Sequence, residues 1–309
     1  MTKYAYYEGK IVPIEQATVS IMCNTLHYGT GCFGGLRGYW NEEQEQLYAF
    51  RLVDHYKRFL NSCKLLLCNL DYTPQQLADI TVELLAKEGW RENVYIRPLM
   101  YKDDGVFRVW LHDATDKVTI FSQPVSKYIK ADKGAKVCVS SWRRVDDDAI
   151  PARGKVNGAY VNSALIKSDA VLSGYDEAIV LNQNGHVSEG SAANFMMVRD
   201  GVLITPPITD NILEGITRRT IMHLAQTELD LDVVERPIDR TELYLCDEAF
   251  FCGTGAQVTA IGSIDNRQLG DGGVGPITGQ IRDLYFDVVY GRLPKYSDWL
   301  FPVPVMETA

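Results

Sequence analysis

Apolar and polar residues alternate from Tyr4 to Ile14 around Glu8-Gly9-Lys10, which predicts a hairpin at the start of the chain. The same two-residue period predicts strands at Ala17–Met22, Phe33–Trp40 and Gln46–Phe50, the last two joined across the polar turn Asn41–Glu45. The period then changes. Leu52, Tyr56, Phe59, Leu60, Cys63, Leu66 and Leu67 recur at helical spacing. Thr73-Pro74 reads as an N-cap followed by proline at the first helical position, opening a helix that stops near Lys87-Glu88-Gly89. Strands follow at Asn93–Tyr101 and Lys117–Phe121.

Residues 124–134 are polar, carry three lysines between apolar strands and are the expected linker. Domains are therefore expected at 1–123 and 135–309. In the second, Ala135–Ser141 reads as a strand and Asn157–Leu172 as a helix. A meander comes next, with strands at Glu177–Leu181, His186–Ser188, Ala193–Val198 and Val202–Thr205, punctuated by Asn184-Gly185 and Asp200-Gly201. Ile216–Glu228 is helical, Leu231–Arg236 is a strand, and Glu248–Ile261 holds two strands around Gly253-Thr254-Gly255. Ile277–Tyr290 is a closing amphipathic helix. The pattern is mixed α/β, of the α+β kind.

The 309 residues, 46% hydrophobic and 23% charged, suit two ordinary domains. A net charge of −9 argues against non-specific nucleic-acid binding. No apolar run reaches the ~18–20 residues that span a bilayer, and the opening Met-Thr-Lys-Tyr-Ala-Tyr-Tyr-Glu has no apolar core of a signal peptide, so no membrane partner is expected. Seven scattered cysteines without a CxxC suggest reduced thiols and a cytoplasmic location. Five separated histidines give no metal site.

Lys155 stands in Ile150-Pro-Ala-Arg-Gly-Lys155-Val-Asn-Gly-Ala-Tyr160, among small residues that leave room for a ring. Three Gly-bearing segments follow: Ser188-Glu189-Gly190, Glu214-Gly215-Ile216-Thr217-Arg218 and Gly253-Thr254-Gly255-Ala256. A lysine amine can form a Schiff base with an aldehyde. A carboxylate such as Glu189 can hold a pyridine nitrogen protonated. Gly215–Thr217 reads as a helix N-terminus, whose N–H groups favour phosphate. Each segment alone also reads as ordinary capping, a surface turn or a surface lysine; their order and spacing together point to pyridoxal phosphate. Gly29-Thr-Gly31-Cys-Phe-Gly34 matches a dinucleotide fingerprint literally, but a strand rather than a helix is expected after it. Tyr95 and Arg97 share one strand face, as a pocket or a solvent-facing side. Arg58 lies on the first helix, in a charged run that reads by default as a solvated face.

Together these residues resemble the fold-type IV pyridoxal-phosphate aminotransferases, most closely the branched-chain amino acid aminotransferases. The matching stretches are His27–Phe33, Leu36-Arg37, Tyr95–Leu99, Ser140–Trp142, Lys155–Ser163, Ser188–Gly190, Glu214–Arg218 and Gly253-Thr254, spread over about residues 20 to 260. The resemblance implies a smaller N-terminal α/β sandwich and a larger C-terminal pseudo-barrel flanked by helices. It implies that Lys155 is the Schiff-base lysine and proton shuttle, that Glu189 pairs with the ring nitrogen, and that Tyr160 bonds the ring oxygen. Arg58, Ile216, Thr217 and Thr254 would bind phosphate with Gly215, and Leu213 would pack on the ring. Tyr95 and the backbone of Thr254-Gly255-Ala256 would take the α-carboxylate. Tyr28, Phe33 and Tyr160 would line the side-chain pocket, and Arg37 would belong to the substrate site. Arg97 would assist the second carboxylate of glutamate or 2-oxoglutarate.

The implied reaction is a ping-pong transamination of leucine, isoleucine and valine with 2-oxoglutarate, cycling the cofactor between pyridoxal and pyridoxamine phosphate. A homodimer or higher homo-oligomer is implied as well. Three stretches depart from the family pattern: Gly34-Gly35 in place of Glu-Gly, Asn157-Gly158-Ala159-Tyr160 in place of Gly-Gly-Asn-Tyr, and the loop Lys102–Arg108. The first changes charge and width near the pocket, and Arg108 offers an alternative carboxylate partner. Activity on D-amino acids or (R)-amines, an aminodeoxychorismate lyase and a non-catalytic homologue stay open as alternatives. A nicotinamide dehydrogenase would rest on residues 29–34 alone.

Overall fold

The structure is a computed structural model that describes residues 1–125 and 133–304. It divides into two compact units. The first holds the described residues of Met1–Ser126, Gly154–Gly158 and Asp287–Ala309; the second holds those of Lys127–Arg153 and Ala159–Phe286. This division differs from the expected 1–123 and 135–309. The chain's last strand, Leu300–Val303, pairs with Gln46–Phe50 and so counts with the N-terminal unit. Five residues around Lys155 do the same. Of the expected linker, residues 126–132 lie outside the described residues.

In the first unit the elements run β1 (Tyr4–Tyr7), β2 (Lys10–Pro13), α1 (Asn24–Tyr28), β3 (Cys32–Phe33), β4 (Leu36–Asn41), β5 (Gln46–Phe50), α2 (Leu52–Leu65), α3 (Pro74–Glu88), β6 (Val94–Lys102) and β7 (Asp116–Pro124). Their sheet has the order Leu300–Val303, β5, β4, β6, β7, β1, β2, with β3 on β6, and its pairings are antiparallel. The predicted helical stripe on α2 is buried at Leu52, Tyr56, Phe59 and Cys63, where α2 meets α3. Each such large apolar side chain contributes roughly 1.5–3 kcal/mol on burial. The α3 start is the expected one: Thr73 accepts from the Gln76 N–H, Gln76 bonds back to the Thr73 N–H, and Gly89 closes the helix in the left-handed region.

Two expectations fail in this unit. Ala17–Met22 is not a strand; Val19 and Ile21 are exposed, so their alternation meets no buried face. The predicted strand Phe33–Trp40 is interrupted at Gly34-Gly35, leaving β3 and β4 as separate pieces. The short helix α1, only five residues long, escaped the pattern because it is too brief to show a period.

The second unit runs β8 (Ala135–Arg143), α4 (Tyr160–Leu172), β9 (Glu177–Leu181), β10 (Val187–Gly190), β11 (Asn194–Arg199), β12 (Val202–Thr205), α5 (Ile216–Glu228), β13 (Val233–Glu235), β14 (Glu248–Gly253), β15 (Gln257–Ile264), β16 (Arg267–Gln268) and α6 (Pro276–Val289). The sheet order is β10, β9, β8, β15, β14, β11, β12, β13, with β16 on β15. Three pairings are parallel, β8 with β9, β8 with β15, and β12 with β13. The core under the sheet gathers Val137, Ile179, Phe195, Met197, Phe251 and Ile261. Ile166 and Ala170 pack α4 against Ala178 and Val180. The mixed α/β fold class expected from the sequence is the one observed.

Candidate active site

In the first unit, Lys155 is held by backbone on two sides. Its N–H donates to Ser62 Oγ at 3.1 Å, and its carbonyl accepts from the Phe33 N–H at 3.0 Å. The following residues continue the seam, with Asn157 N–H on Gly31 O at 2.9 Å and Gly158 N–H on Gly29 O at 3.1 Å. The approach is close: a Cβ on Gly29 would lie 2.9 Å from Gly158 Cα, and Gly29 has φ +67°. Glycine at 29 thus lets two backbones approach where a Cβ would meet backbone atoms of Gly158. Ser62 is buried on α2 and donates to the Arg58 carbonyl at 3.0 Å, so α2 also bears on the lysine.

The Lys155 ammonium stands 5.1 Å from the centre of the Phe33 ring. The Arg97 guanidinium lies over the same ring at 4.3 Å and over Tyr95 at 5.1 Å. Strand register explains the grouping. Arg37 is opposite Tyr95, Phe33 is opposite Leu99, and Tyr95, Arg97 and Leu99 alternate onto one face of β6. Arg97 Nη2 donates to Tyr95 Oη at 3.3 Å, while its buried Nε has no hydrogen-bond partner. Among the described residues no carboxylate pairs with Arg97. A guanidinium in a half-buried aromatic setting without a counter-charge suits an anionic ligand.

Neighbouring side chains crowd both residues of Gly34-Gly35. A Cβ at 34 would fall 2.5 Å from Pro98 Cγ, and one at 35 would fall 2.1 Å from Tyr95 Oη. The space a side chain would take is occupied by the tyrosine that the sequence marks for substrate. Tyr28 is exposed at the end of α1, and Arg37 is buried. Arg58 is half-buried on α2. Arg108 reaches the Asp113 carbonyl at 3.5 Å and lies 5.5 Å from the Trp110 ring.

In the second unit the centre is Glu189, only 2% exposed at the end of β10. Its Oε1 is 2.6 Å from Arg144 Nη2. Its Oε2 accepts from Asn194 Nδ2 at 3.0 Å and from the Leu213 N–H at 3.2 Å. Asn194 also donates to the Leu213 carbonyl at 2.9 Å, which fixes the segment entering α5. A Cβ on Gly215 would lie 2.0 Å from Asn194 Oδ1, so a side chain there would have to displace the asparagine that serves Glu189. Gly215 is the N-cap of α5, and no side chain caps the helix. The first turn carries Ile216 and Thr217, both buried, and no acid. Such an uncapped N-terminus fits a phosphate.

Tyr160 opens α4. Thr254, Gly255 and Ala256 form the tight turn between β14 and β15, closed by the Gly253–Gln257 pair. Arg218, in the same motif as Thr217, is tied to Glu235 at 2.6 Å and to Pro206 O at 2.8 Å, and so braces α5.

Lys155, Phe33, Tyr95, Arg97 and Arg37 are thus grouped in the first unit, with Arg58 and Tyr28 in the same unit. Glu189, Leu213, Gly215, Ile216 and Thr217 are grouped in the second, which also holds Tyr160 and Thr254–Ala256. Sequence reasoning missed Arg144 and Ser62, and gave no role to Asn194 at the end of the segment Ser188–Asn194. Arg144 follows the matched stretch Ser140–Trp142 as part of an Arg-Arg pair that reads as a solvated strand end. Among the described residues no group of histidines, cysteines and acids could hold a metal ion. Among them, too, no helix is long and apolar enough to cross a membrane.

A family model of class IV amino-transferases matches residues 31–264. The chain belongs to that family. It is 49% identical over 300 residues to a probable branched-chain-amino-acid aminotransferase of Aquifex aeolicus, covering 97% of this chain and 96% of that one. Its fold matches the branched-chain aminotransferase of Thermoproteus uzoniensis, solved with norvaline, at a TM-score of 0.94 and 41% identity over 98% of this chain and 100% of that one. It matches the branched-chain amino acid aminotransferase of Thermobaculum terrenum in its PLP-form at a TM-score of 0.93 and 42% identity, over 98% and 99% of the two chains. Family membership makes the fold-type IV resemblance a fact of this chain. It also removes the dehydrogenase reading of residues 29–34, after which β4 and not a helix follows.

Proposed function

We propose that the protein transfers amino groups from leucine, isoleucine and valine to 2-oxoglutarate with pyridoxal phosphate as cofactor. The observation that carries the reading is the Lys155–Phe33–Arg97 arrangement. The Lys155 amine and the Arg97 guanidinium lie over one aromatic ring, and among the described residues no carboxylate pairs with Arg97. That surface accepts an aliphatic side chain against Phe33 and a carboxylate against Arg97, as the two half-reactions need in turn.

The second unit's donor set fits the cofactor. Glu189 is a buried carboxylate kept anionic by Arg144 and so able to hold a ring-nitrogen proton. The first turn of α5, with Gly215, Ile216 and Thr217, suits the phosphate, with Thr254 in the same unit; Arg58 is the phosphate ligand proposed from the first unit's residues. Tyr160 takes the ring oxygen, and Leu213 packs on the ring. When bound, the cofactor supplies an aldehyde carbon for Lys155 and a ring that withdraws electrons from the substrate's Cα.

With the cofactor bound, Lys155 Nζ would be the base that takes the proton from Cα and the acid that returns it. Its backbone seam keeps that amine on a fixed tether while the side chain moves. Tyr95 is the α-carboxylate partner proposed in the first unit, and the Thr254-Gly255-Ala256 backbone the one proposed in the second. Tyr28, Phe33 and Arg37 shape the remaining substrate surface, with Arg97 on the second carboxylate.

The protein acts in the cytoplasm as a homodimer or larger homo-oligomer. Supporting assembly, Val19, Ile21, Leu26, Val106, Phe107, Val109 and Trp110 leave apolar surface exposed in the first unit. The deciding experiment adds L-leucine to purified protein loaded with pyridoxal phosphate. Loss of the visible cofactor band, with a 2-oxo acid released, is expected. A band that answers only to D-amino acids or (R)-amines would move the substrate class, and no band at all would overturn the reading.

A further inference from the structure

Arg144 does more than pair with Glu189, for its guanidinium also meets Ser163 and Ser191 in the second unit. It lies at the end of β8, and its N–H is fixed on Leu181 O at 2.9 Å. Nη2 meets Glu189 Oε1 at 2.6 Å. Nη1 reaches Ser163 Oγ at 3.3 Å and Ser191 O at 3.4 Å. Ser163 is three residues beyond Tyr160 on α4, hence on the same helix face. One planar side chain thus ties together Glu189, the turn after β10 and the helix face that carries Tyr160.

We propose that Arg144 is a positioning residue which, through Glu189, keeps the proton on the ring nitrogen of bound pyridoxal phosphate. The proposal rests on Glu189 being the ring nitrogen's partner. A carboxylate as buried as Glu189 is pushed by desolvation toward its neutral form. Arg144 is charged at every accessible pH and reverses that push, with Asn194 Nδ2 and the Leu213 N–H adding to it. A carboxylate so stabilised is a weak base. The proton between it and a pyridine nitrogen then stays on nitrogen, and the ring remains a strong electron sink. Without Arg144 the carboxylate gains basicity, the proton moves onto oxygen, and the ring becomes a neutral pyridine. Lysine does not substitute, because an ammonium has no fork with which to serve Glu189, Ser163 and Ser191 together.

The test loads wild type, R144Q, R144K and E189Q with pyridoxal phosphate carrying nitrogen-15 in the ring, and reads its chemical shift and the cofactor's dissociation constant. Wild type should show a pyridinium shift. R144Q should move toward neutral pyridine and bind the cofactor roughly ten- to a hundredfold more weakly. R144K should move part of the way, and the pH profile of its bound-cofactor absorbance should move with it. A wild-type shift in R144Q, even with reduced thermal stability, overturns the proposal, because a merely structural arginine would leave the ring proton in place. If R144Q does not fold, a wild-type shift and pH profile in R144K overturns it. If E189Q also leaves the shift unchanged, the Glu189 assignment itself has failed, and the proposal falls with it.

Discussion

The surroundings of Lys155 and of Glu189 solve opposite problems. Around Glu189 the donors are specified: an arginine on one oxygen, an asparagine and a backbone N–H on the other, all deep in the second unit. Around Lys155 the backbone is held by hydrogen bonds, and its amine and the neighbouring Arg97 lie over the Phe33 ring. A buried charge with several partners is rigid, since moving it strands each of them. A cation resting on an aromatic face is held by about 0.5–2 kcal/mol and can exchange that contact for a ligand. The difference separates a group that must stay still through a catalytic cycle from groups that must change partner within it.

Lys155→Ala breaks the receptive side most completely. Turnover of L-leucine should fall by at least about two to four orders of magnitude, and the visible band of lysine-linked cofactor should be absent. Retained steady-state turnover would show that the amine is elsewhere. Arg97→Leu separates the two half-reactions. The loss of a charged hydrogen bond is worth roughly 1.5–3 kcal/mol, so kcat/KM for 2-oxoglutarate should drop about ten- to a hundredfold while that for leucine changes little. Equal losses for both substrates would place Arg97 on the shared carboxylate instead.

On the rigid side, Gly215→Ala forces a Cβ onto Asn194 Oδ1, whose Nδ2 serves Glu189 and Leu213. Overpacking of this kind costs about 1–3 kcal/mol, visible as a lower Tm and weaker cofactor binding together. An unchanged Tm would mean that the asparagine can move freely, against the view of this centre as fixed. Ser62→Ala is the mildest. It leaves the Lys155 N–H without its acceptor at a cost of about 1 kcal/mol, so stability should fall slightly with kcat kept within a few-fold. A large loss of kcat would show that the seam controls the amine more tightly than one hydrogen bond.

Much of this was legible beforehand. Thr73-Pro74 with Gln76 and Gly89 bounded α3 because caps are local: each partner lies within a turn of the other. The hairpins at Asn184-Gly185 and Asp200-Gly201 were legible for the same reason. The strand at Ala17–Met22 was misread because alternation is a signal of burial, and that segment lacks a face to bury. The site was legible where family motifs named residues and opaque where it depends on side chains far apart in sequence. Arg144 is 45 residues from Glu189, and nothing in the Arg-Arg pair at the end of β8 announces which carboxylate one of them meets.

By itself the sequence determined the mixed α/β pattern, most elements and their caps, and the chemistry of a lysine followed by a carboxylate and an open helix start. These rest on short-range periods and on residue types. The tertiary structure decided which unit the last strand and the Lys155 segment belong to. It also decided that Tyr95 and Asn194 fill the space beside Gly35 and Gly215, and that Glu189 is held by Arg144 and Asn194. Those are matters of long-range register and of space already filled by another side chain, which a linear string of residues does not contain.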